Sequence, residues 1–190
     1  MEEEKVIMKE VGKYKKLIEE FPFLMPRNVF TDEIPDDFNY SYHIGLNIPE
    51  GWTHLFLQMC QDIKQPLIDA NYLNDFRFTQ IKEKYGAMRC YTNEVPKKVQ
   101  SMISKYEYMS RYVCALCGQP AHYKTLDYIL PICEQCWKDK LKEHTIDPIE
   151  FCDHYKITHW NSDGEEWQET ISIKDEWEQY IKEKKYEIVA

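Results

Sequence analysis

The chain has 190 residues, 43% hydrophobic and 14% aromatic, which excludes a wholly disordered polypeptide and suits one domain with an appendage or two small ones. Its formal charge of −9, from 24 basic and 33 acidic residues, speaks against a whole-protein nucleic-acid binder and for a protein partner, or a basic surface on one. No run of about 18 apolar residues occurs, so no membrane span is expected, and Met1-Glu2-Glu3-Glu4-Lys5 is unlike a signal peptide, so the expected location is the cytoplasm, where thiols stay reduced.

In chain order, Val6, Ile7, Val11, Tyr14, Leu17 and Ile18 fall near helical spacing, which predicts an amphipathic helix from Glu3 to Glu20 that stops at Phe21-Pro22. Pro22, Pro26 and Pro35 make residues 21–37 a loop, with Phe23, Leu24 and Met25 expected to dock on the core. Phe38 to Ile44 alternates as a short strand. Pro49 and Glu50 suit the first turn of a second helix. Its stripe is Trp52, Leu55, Phe56, Met59 and Ile63, and Pro66 is expected to kink or end it. Residues 76–92 read as a hairpin turning at Tyr85-Gly86. A third helix is expected after Asn93, with Pro96 in its first turn and Val99, Met102, Ile103, Tyr106 and Met109 on its buried side. A fourth runs from about Glu134 to Glu143. Tyr155 to Ile173 reads as a hairpin closed at Asn161-Ser162-Asp163-Gly164, and a last helix follows a Ser172/Asp175 capping box to about Lys185. The expected class is α+β, with helices on a small antiparallel sheet. The expected units are residues 1–111, a metal module at 112–145, and an acidic hairpin and helix at 146–190.

One signal is specific. Cys114 and Cys117 are followed, after fifteen residues, by Cys133 and Cys136. Two-residue spacing places both thiolates of a pair on one ion, and the gap matches a structural zinc site. Gly118 suits a tight knuckle, residues 122–132 a hairpin, and Trp137 onward a helix. Knuckle, hairpin and helix form a treble clef, with a zinc ribbon as the close alternative. Four thiolates leave no place for water, so the ion is expected to brace the fold.

The other thiols read differently. Cys60 and Cys90 lie on apolar stripes and are expected to be core. Cys152, His154 and His159 lack a spaced fourth ligand. No metalloprotease helix, serine nucleophile elbow, phosphate-binding loop or kinase set occurs, and there are only 6 glycines for a nucleotide cradle. An enzyme built from scattered residues stays open as a second alternative.

Charge is unevenly spread. Residues 1–95 carry net −5, residues 96–145 net +3 and residues 146–190 net −7. Asp163, Glu165, Glu166 and Glu169, with Trp160, Trp167 and Trp177 interleaved, form either a solvated face or a patch that imitates phosphates before a basic groove. Lys97, Lys98, Lys105 and Arg111, with Lys124, Lys138, Lys140 and Lys142, keep a nucleic-acid-binding zinc protein as the first alternative.

Several motifs carry a resemblance. They are the run from Tyr14 to Asn28, then Gly51-Trp52 with Leu55-Phe56 and Met59-Cys60, the run from Gln80 to Tyr91, and the paired cysteines. Together they resemble a family of phage and prophage proteins with no assigned activity. That family usually has a second glycine where Ala87 stands, so a slightly different turn is expected. The resemblance implies a small cytoplasmic accessory protein that binds a host protein, in the manner of antagonists of bacterial defence such as anti-CRISPR proteins. It also makes Lys82, Lys84 and Arg89 the positions expected to bind, against a reading in which they pair with Glu83 and helix ends.

Overall fold

The computed structural model describes residues 16–25, 27, 31, 33–34, 48–160 and 163–187. Residues 16–20 are helical, and the Phe21 N–H closes the last turn on the Leu17 carbonyl at 2.8 Å. The earlier part of the helix predicted from Glu3, and the strand predicted over Phe38 to Ile44, lie outside the described residues. A 3-10 turn at Pro22–Leu24 then sinks Phe23 and Leu24 into the core, as their apolar character requires.

A second 3-10 turn, Glu50–Trp52, leads into α1 (Thr53–Asp69). Its stripe of Leu55, Phe56, Met59, Cys60, Ile63 and Leu67 is buried. Pro66 neither ends nor interrupts the helix. The proline forfeits one N–H bond, but Leu67, with no exposed surface, holds the last turn against the core. The helix stops instead where Asn71 turns left-handed at φ 52°.

The predicted hairpin is β1 (Phe78–Lys84) and β2 (Ala87–Thr92), antiparallel with Ile81 opposite Cys90 and Lys82 opposite Arg89. Tyr85 and Gly86 both have positive φ, 53° and 74°, which is the two-residue turn that matches strand twist. Ala87 lies outside that turn, fully buried at the start of β2. Asn93 does not cap the next helix. Its side chain accepts the Arg77 N–H at 2.8 Å and donates to the Asp75 carbonyl at 2.7 Å, closing the hairpin's base. Helix α2 (Lys97–Met109) buries Val99, Ile103, Tyr106 and Met109, with Met102 only half-buried.

After a 3-10 turn at Ser110–Tyr112 come β3 (Tyr123–Thr125), β4 (Pro131–Ile132) and α3 (Glu134–Lys140). The helix ends three residues before Glu143, and the chain turns back so that β5 (Ile146–Pro148) pairs with the other edge of β3. Strands β6 (His154–Trp160) and β7 (Glu166–Ser172) form the acidic hairpin, and α4 (Lys174–Glu187) follows. Ser172 is not its N-cap. The Trp177 N–H bonds to the Ile173 carbonyl, so the helix starts one residue later. The Asp153 carboxylate takes the Ile173 N–H and the Ser172 hydroxyl at 3.1 and 3.0 Å.

The class is α+β, with the strands divided among three small antiparallel sheets: β1-β2, β4-β3-β5 and β6-β7. One hydrophobic core gathers Phe23, Trp52, Leu55, Phe76, Ile103, Val113, Ile171, Trp177 and Tyr180. It therefore draws on residues 1–111, 112–145 and 146–190 together.

Candidate metal centre

Residues 114–118 form the knuckle. Gly118 has φ 74°, and its N–H bonds to the Cys114 carbonyl at 2.9 Å. The Ala115 N–H bonds to the Pro131 carbonyl at 2.9 Å, which ties the knuckle to β4. Hairpin β3-β4 then delivers Cys133 to the start of α3, where it is the N-cap residue and its sulfur accepts the Cys136 N–H at 3.4 Å. Knuckle, hairpin and helix are thus in treble-clef order.

The ligand atoms of Cys114, Cys117, Cys133 and Cys136 all lie within 4.8 Å of one another. The Cys117 and Cys133 sulfurs are 3.6 Å apart, far beyond a bonded pair, and all seven cysteines are free thiols. Burial pushes the Cys114 thiol up, but the backbone N–H groups of Cys133, Leu116 and Cys117 outweigh it and hold that thiol below its ordinary value. Burial lifts Cys117 to about 11, despite the Gln119 N–H, and raises Cys136 as well, with the crowding of the other thiols adding to it. The Cys114 thiolate is favoured, and Cys117 and Cys136 resist ionisation. A divalent cation among the four sulfurs removes that conflict. The cluster can hold one metal ion, and it is the only group of three or more metal-ligating side chains of this kind among the described residues.

Three hydrogen bonds fasten the knuckle to the rest of the protein. The Gly51 N–H donates to the Ala115 carbonyl at 2.9 Å, the Trp52 indole N–H to the Val113 carbonyl at 2.9 Å, and the Tyr180 hydroxyl to the Gly118 carbonyl at 2.6 Å. The knuckle that carries Cys114 and Cys117 therefore lies where the start of α1 and α4 meet.

The remaining predicted residues fall into distinct settings. Cys60 and Cys90 are buried in the core, and burial raises both thiols. Cys152 is exposed, and His159 faces Glu169 at 2.9 Å instead of joining Cys152. Lys82, Lys84 and Arg89 share one face of the β1-β2 ribbon by register. Lys82 lies over the Tyr91 ring at 4.9 Å and Lys84 over Tyr85 at 5.7 Å, while Glu83 takes the Gly86 N–H at 2.8 Å and the Tyr128 hydroxyl. Asp163, Glu165 and Glu166 are exposed near the tip of the β6-β7 hairpin, whereas Glu169 turns inward to His159. Of the three interleaved tryptophans, Trp177 is core, Trp167 stacks on His159 and only Trp160 is exposed.

Sequence reasoning missed a cleft of about 750 Å³ between β2, α2 and the β6-β7 hairpin. Its lining comes from four separated segments, so no local motif announces it. Glu107 is the residue that helical spacing could have flagged: it lies four places after Ile103, at the flank of the buried stripe. Its carboxylate accepts the Cys90 N–H at 2.6 Å. Burial lifts its pKa from 4.5 to about 7, against the opposing pull of that bond and of Arg89 and Arg111. The folded protein keeps a proton that the unfolded chain releases between those two values, so this group's contribution to stability is lost as pH rises through that window. Glu107→Gln keeps an acceptor for Cys90 and removes the titration. The expected result is a variant more stable than wild type above about pH 7 by roughly 3 kcal/mol, the gap closing toward about pH 4.5. Urea midpoints across that range check this, and parallel pH profiles for the two proteins would refute it.

No protein-family model, curated protein or solved structure matches the chain, so its functional reading rests on the geometry of the centre and the surfaces it braces.

Proposed function

We propose that the protein is a zinc-braced binding protein that acts by contact with a protein partner and not by catalysis. Zinc suits the centre because four thiolates form its preferred tetrahedral set. Bonds of about 2.3 Å in such a set space the sulfurs about 3.8 Å apart. The four ligand atoms, within 4.8 Å of one another, need only a small contraction to reach that spacing. A closed set leaves no position for a reacting water, so the ion is structural.

One observation carries the contact reading. The β1-β2 turn and the β3-β4 turn meet at the surface, and between them they carry four exposed apolar side chains. Tyr85 is 76% exposed, Tyr128 61%, Leu126 46% and Ile129 41%. Gly86 packs so closely on Ile129 that a Cβ there would lie 2.8 Å from its Cγ2, and the Tyr128 hydroxyl reaches the Glu83 carboxylate. Grouped exposed apolar surface on a rigid frame marks an interaction site. One foot of the β3-β4 hairpin runs directly into Cys133, so an ion held there fixes the shape of the contact surface.

The resemblance to phage and prophage proteins supports a host protein in the bacterial cytoplasm as the partner. A nucleic-acid-handling effector, a CRISPR enzyme among them, would offer the basic surface that a chain of charge −9 complements. The test is affinity capture from bacterial extract with wild type and with the double variant Leu126→Glu/Ile129→Glu, each first shown to hold one zinc per chain. A protein captured by wild type, lost with the variant and rebound from purified components is the expected result. Capture that the double variant leaves unchanged would refute this surface.

A further inference from the structure

We propose that the cleft between β2, α2 and the β6-β7 hairpin binds single-stranded nucleic acid, seating a base between Tyr91 and Trp160 with its phosphates on Lys82, Arg89 and Lys97. The inference is independent of the protein contact proposed above, which uses a different surface.

The cleft's volume of about 750 Å³ falls in the range of sites that bury a small ligand. Its two walls come from different elements, and each contributes an exposed ring. Tyr91 on β2 is 42% exposed, and Trp160 on β6 is 64% exposed. The chain has 5 tryptophans, and the other four are buried or half-buried. An indole held open on the wall of a cleft gives up burial worth more than most side chains can gain, and stacking a base restores it.

The floor supplies a second, independent sign. Ser104 is 1% exposed and lines the cleft, yet its hydroxyl has no hydrogen-bond partner. Its carbonyl is already engaged by the Tyr155 hydroxyl at 2.6 Å. A buried hydroxyl left unpaired is costly, and the polar edge of a seated base would satisfy it.

Arg89 and Lys97 line the cleft, and the cations continue outside it along the β1-β2 ribbon. Arg89 stands opposite Lys82 in register, on the same ribbon face as Lys84. Lys97 lies over the Trp167 ring at 4.6 Å on the other side of the cleft. Alternate residues on a strand are about 6.6 Å apart, a step comparable with one nucleotide of an extended strand. A lone nucleotide would use one or two of these charges, whereas a strand would use the whole track. The acids nearby do not cancel it. Glu107 is engaged by the Cys90 N–H and Glu169 by His159, while Glu94, and Glu166 opposite Trp160, are exposed, where solvent screens them. An acidic peptide would meet the same cations but would leave the two rings and the Ser104 hydroxyl unused.

The experiment is fluorescence anisotropy of the zinc-loaded full chain with a labelled mixed-sequence single strand of about 12 nucleotides, as DNA and as RNA. Saturable binding is expected, weakening about 10-fold or more between about 50 and about 200 mM salt if three phosphates are neutralised. Trp160→Ala and Lys97→Glu are each expected to weaken it about 10-fold, with thermal unfolding unchanged because both side chains are exposed. Lys140→Glu makes the same charge change at an exposed site on α3, away from the cleft, and is expected to leave binding within about 2-fold. The proposal is overturned by an absence of binding to either strand. It is equally overturned by a loss with Lys140→Glu as large as with Lys97→Glu, or by a mononucleotide or polyglutamate peptide that competes as well as the strand does.

Discussion

Cys114→Ser is expected to release the ion and to loosen far more of the protein than the metal module. Each structural zinc in small modules contributes about 10–16 kcal/mol of apparent binding energy, so losing one of four thiolates removes a term comparable with the whole stability of a domain. The consequence spreads because the knuckle holds neighbours that are distant in sequence. The Ala115 carbonyl receives the Gly51 N–H, the Val113 carbonyl the Trp52 indole and the Gly118 carbonyl the Tyr180 hydroxyl. Once the ion leaves, those acceptors lose their fixed positions, and the start of α1 and the middle of α4 lose theirs with them. The expected observations are zinc near zero per chain, an unfolding midpoint lower by about 10 °C or more, and faster hydrogen exchange at the amides of Gly51, Ala115 and Gly118. Cys152→Ser is the control, since Cys152 is exposed and outside the cluster. It is expected to keep the ion and the melting point. Full zinc retention in Cys114→Ser, or exchange accelerated only within residues 112–143, would contradict this account.

The centre was legible in the sequence because metal ligation is local chemistry. Two Cys-x-x-Cys pairs with Gly118 after the first and a helical pattern after the second specify knuckle, hairpin and helix almost without tertiary help. The β1-β2 turn was legible for a similar reason, since Tyr85-Gly86 needs positive φ and glycine provides it. Failures occurred where packing outvoted local preference. Pro66 lies inside α1 because Leu67 is fully buried one residue later. The Ser172/Asp175 box does not close as predicted: the Ser172 hydroxyl accepts the Lys174 N–H at 3.4 Å, but the helix starts one residue later and Asp153, just before β6, takes the Ile173 N–H and the Ser172 hydroxyl. Strand β5 was invisible because three residues ending in proline carry no periodicity, and pairing with β3 alone defines them. The cleft is the extreme case. Ser104, Glu107, His159 and Trp160 share no local motif, and only the folding of β6-β7 over α2 brings them together.

Gly51→Ala is expected to be nearly as damaging as losing a ligand, although Gly51 touches no metal. A Cβ at that position would lie 2.2 Å from the Cys114 carbonyl oxygen, 2.7 Å from the Gly118 nitrogen and 2.8 Å from the Ala115 carbonyl carbon. All three are backbone atoms, so no side chain can swing aside. The turn cannot retreat either, because Trp52 beside it is fully buried and pinned through its indole to Val113. A Cβ on Gly118 meets the same obstacle from the other side, 2.8 Å from the Gly51 carbonyl oxygen. The two backbones are in direct contact, and the added methyl must push the knuckle that carries Cys114 and Cys117. Overpacking of a yielding core costs about 1–3 kcal/mol, and this unyielding contact is expected to cost at least about 3 kcal/mol. Gly164→Ala separates this effect from backbone strain. Gly164 also has positive φ, 79°, but nothing lies within 4 Å of its added Cβ, so a loss of about 1 kcal/mol is expected and the centre is left intact. The discriminating measurement is the rate at which a chromophoric chelator strips the ion. It should rise sharply in Gly51→Ala and stay at the wild-type value in Gly164→Ala. In the Cys114→Ser background the Gly51 substitution should add much less than it does alone, since the knuckle it strains is already released. Additive losses in that double variant would mean that the turn and the metal centre are energetically separate, and the coupling drawn from their contact would be wrong.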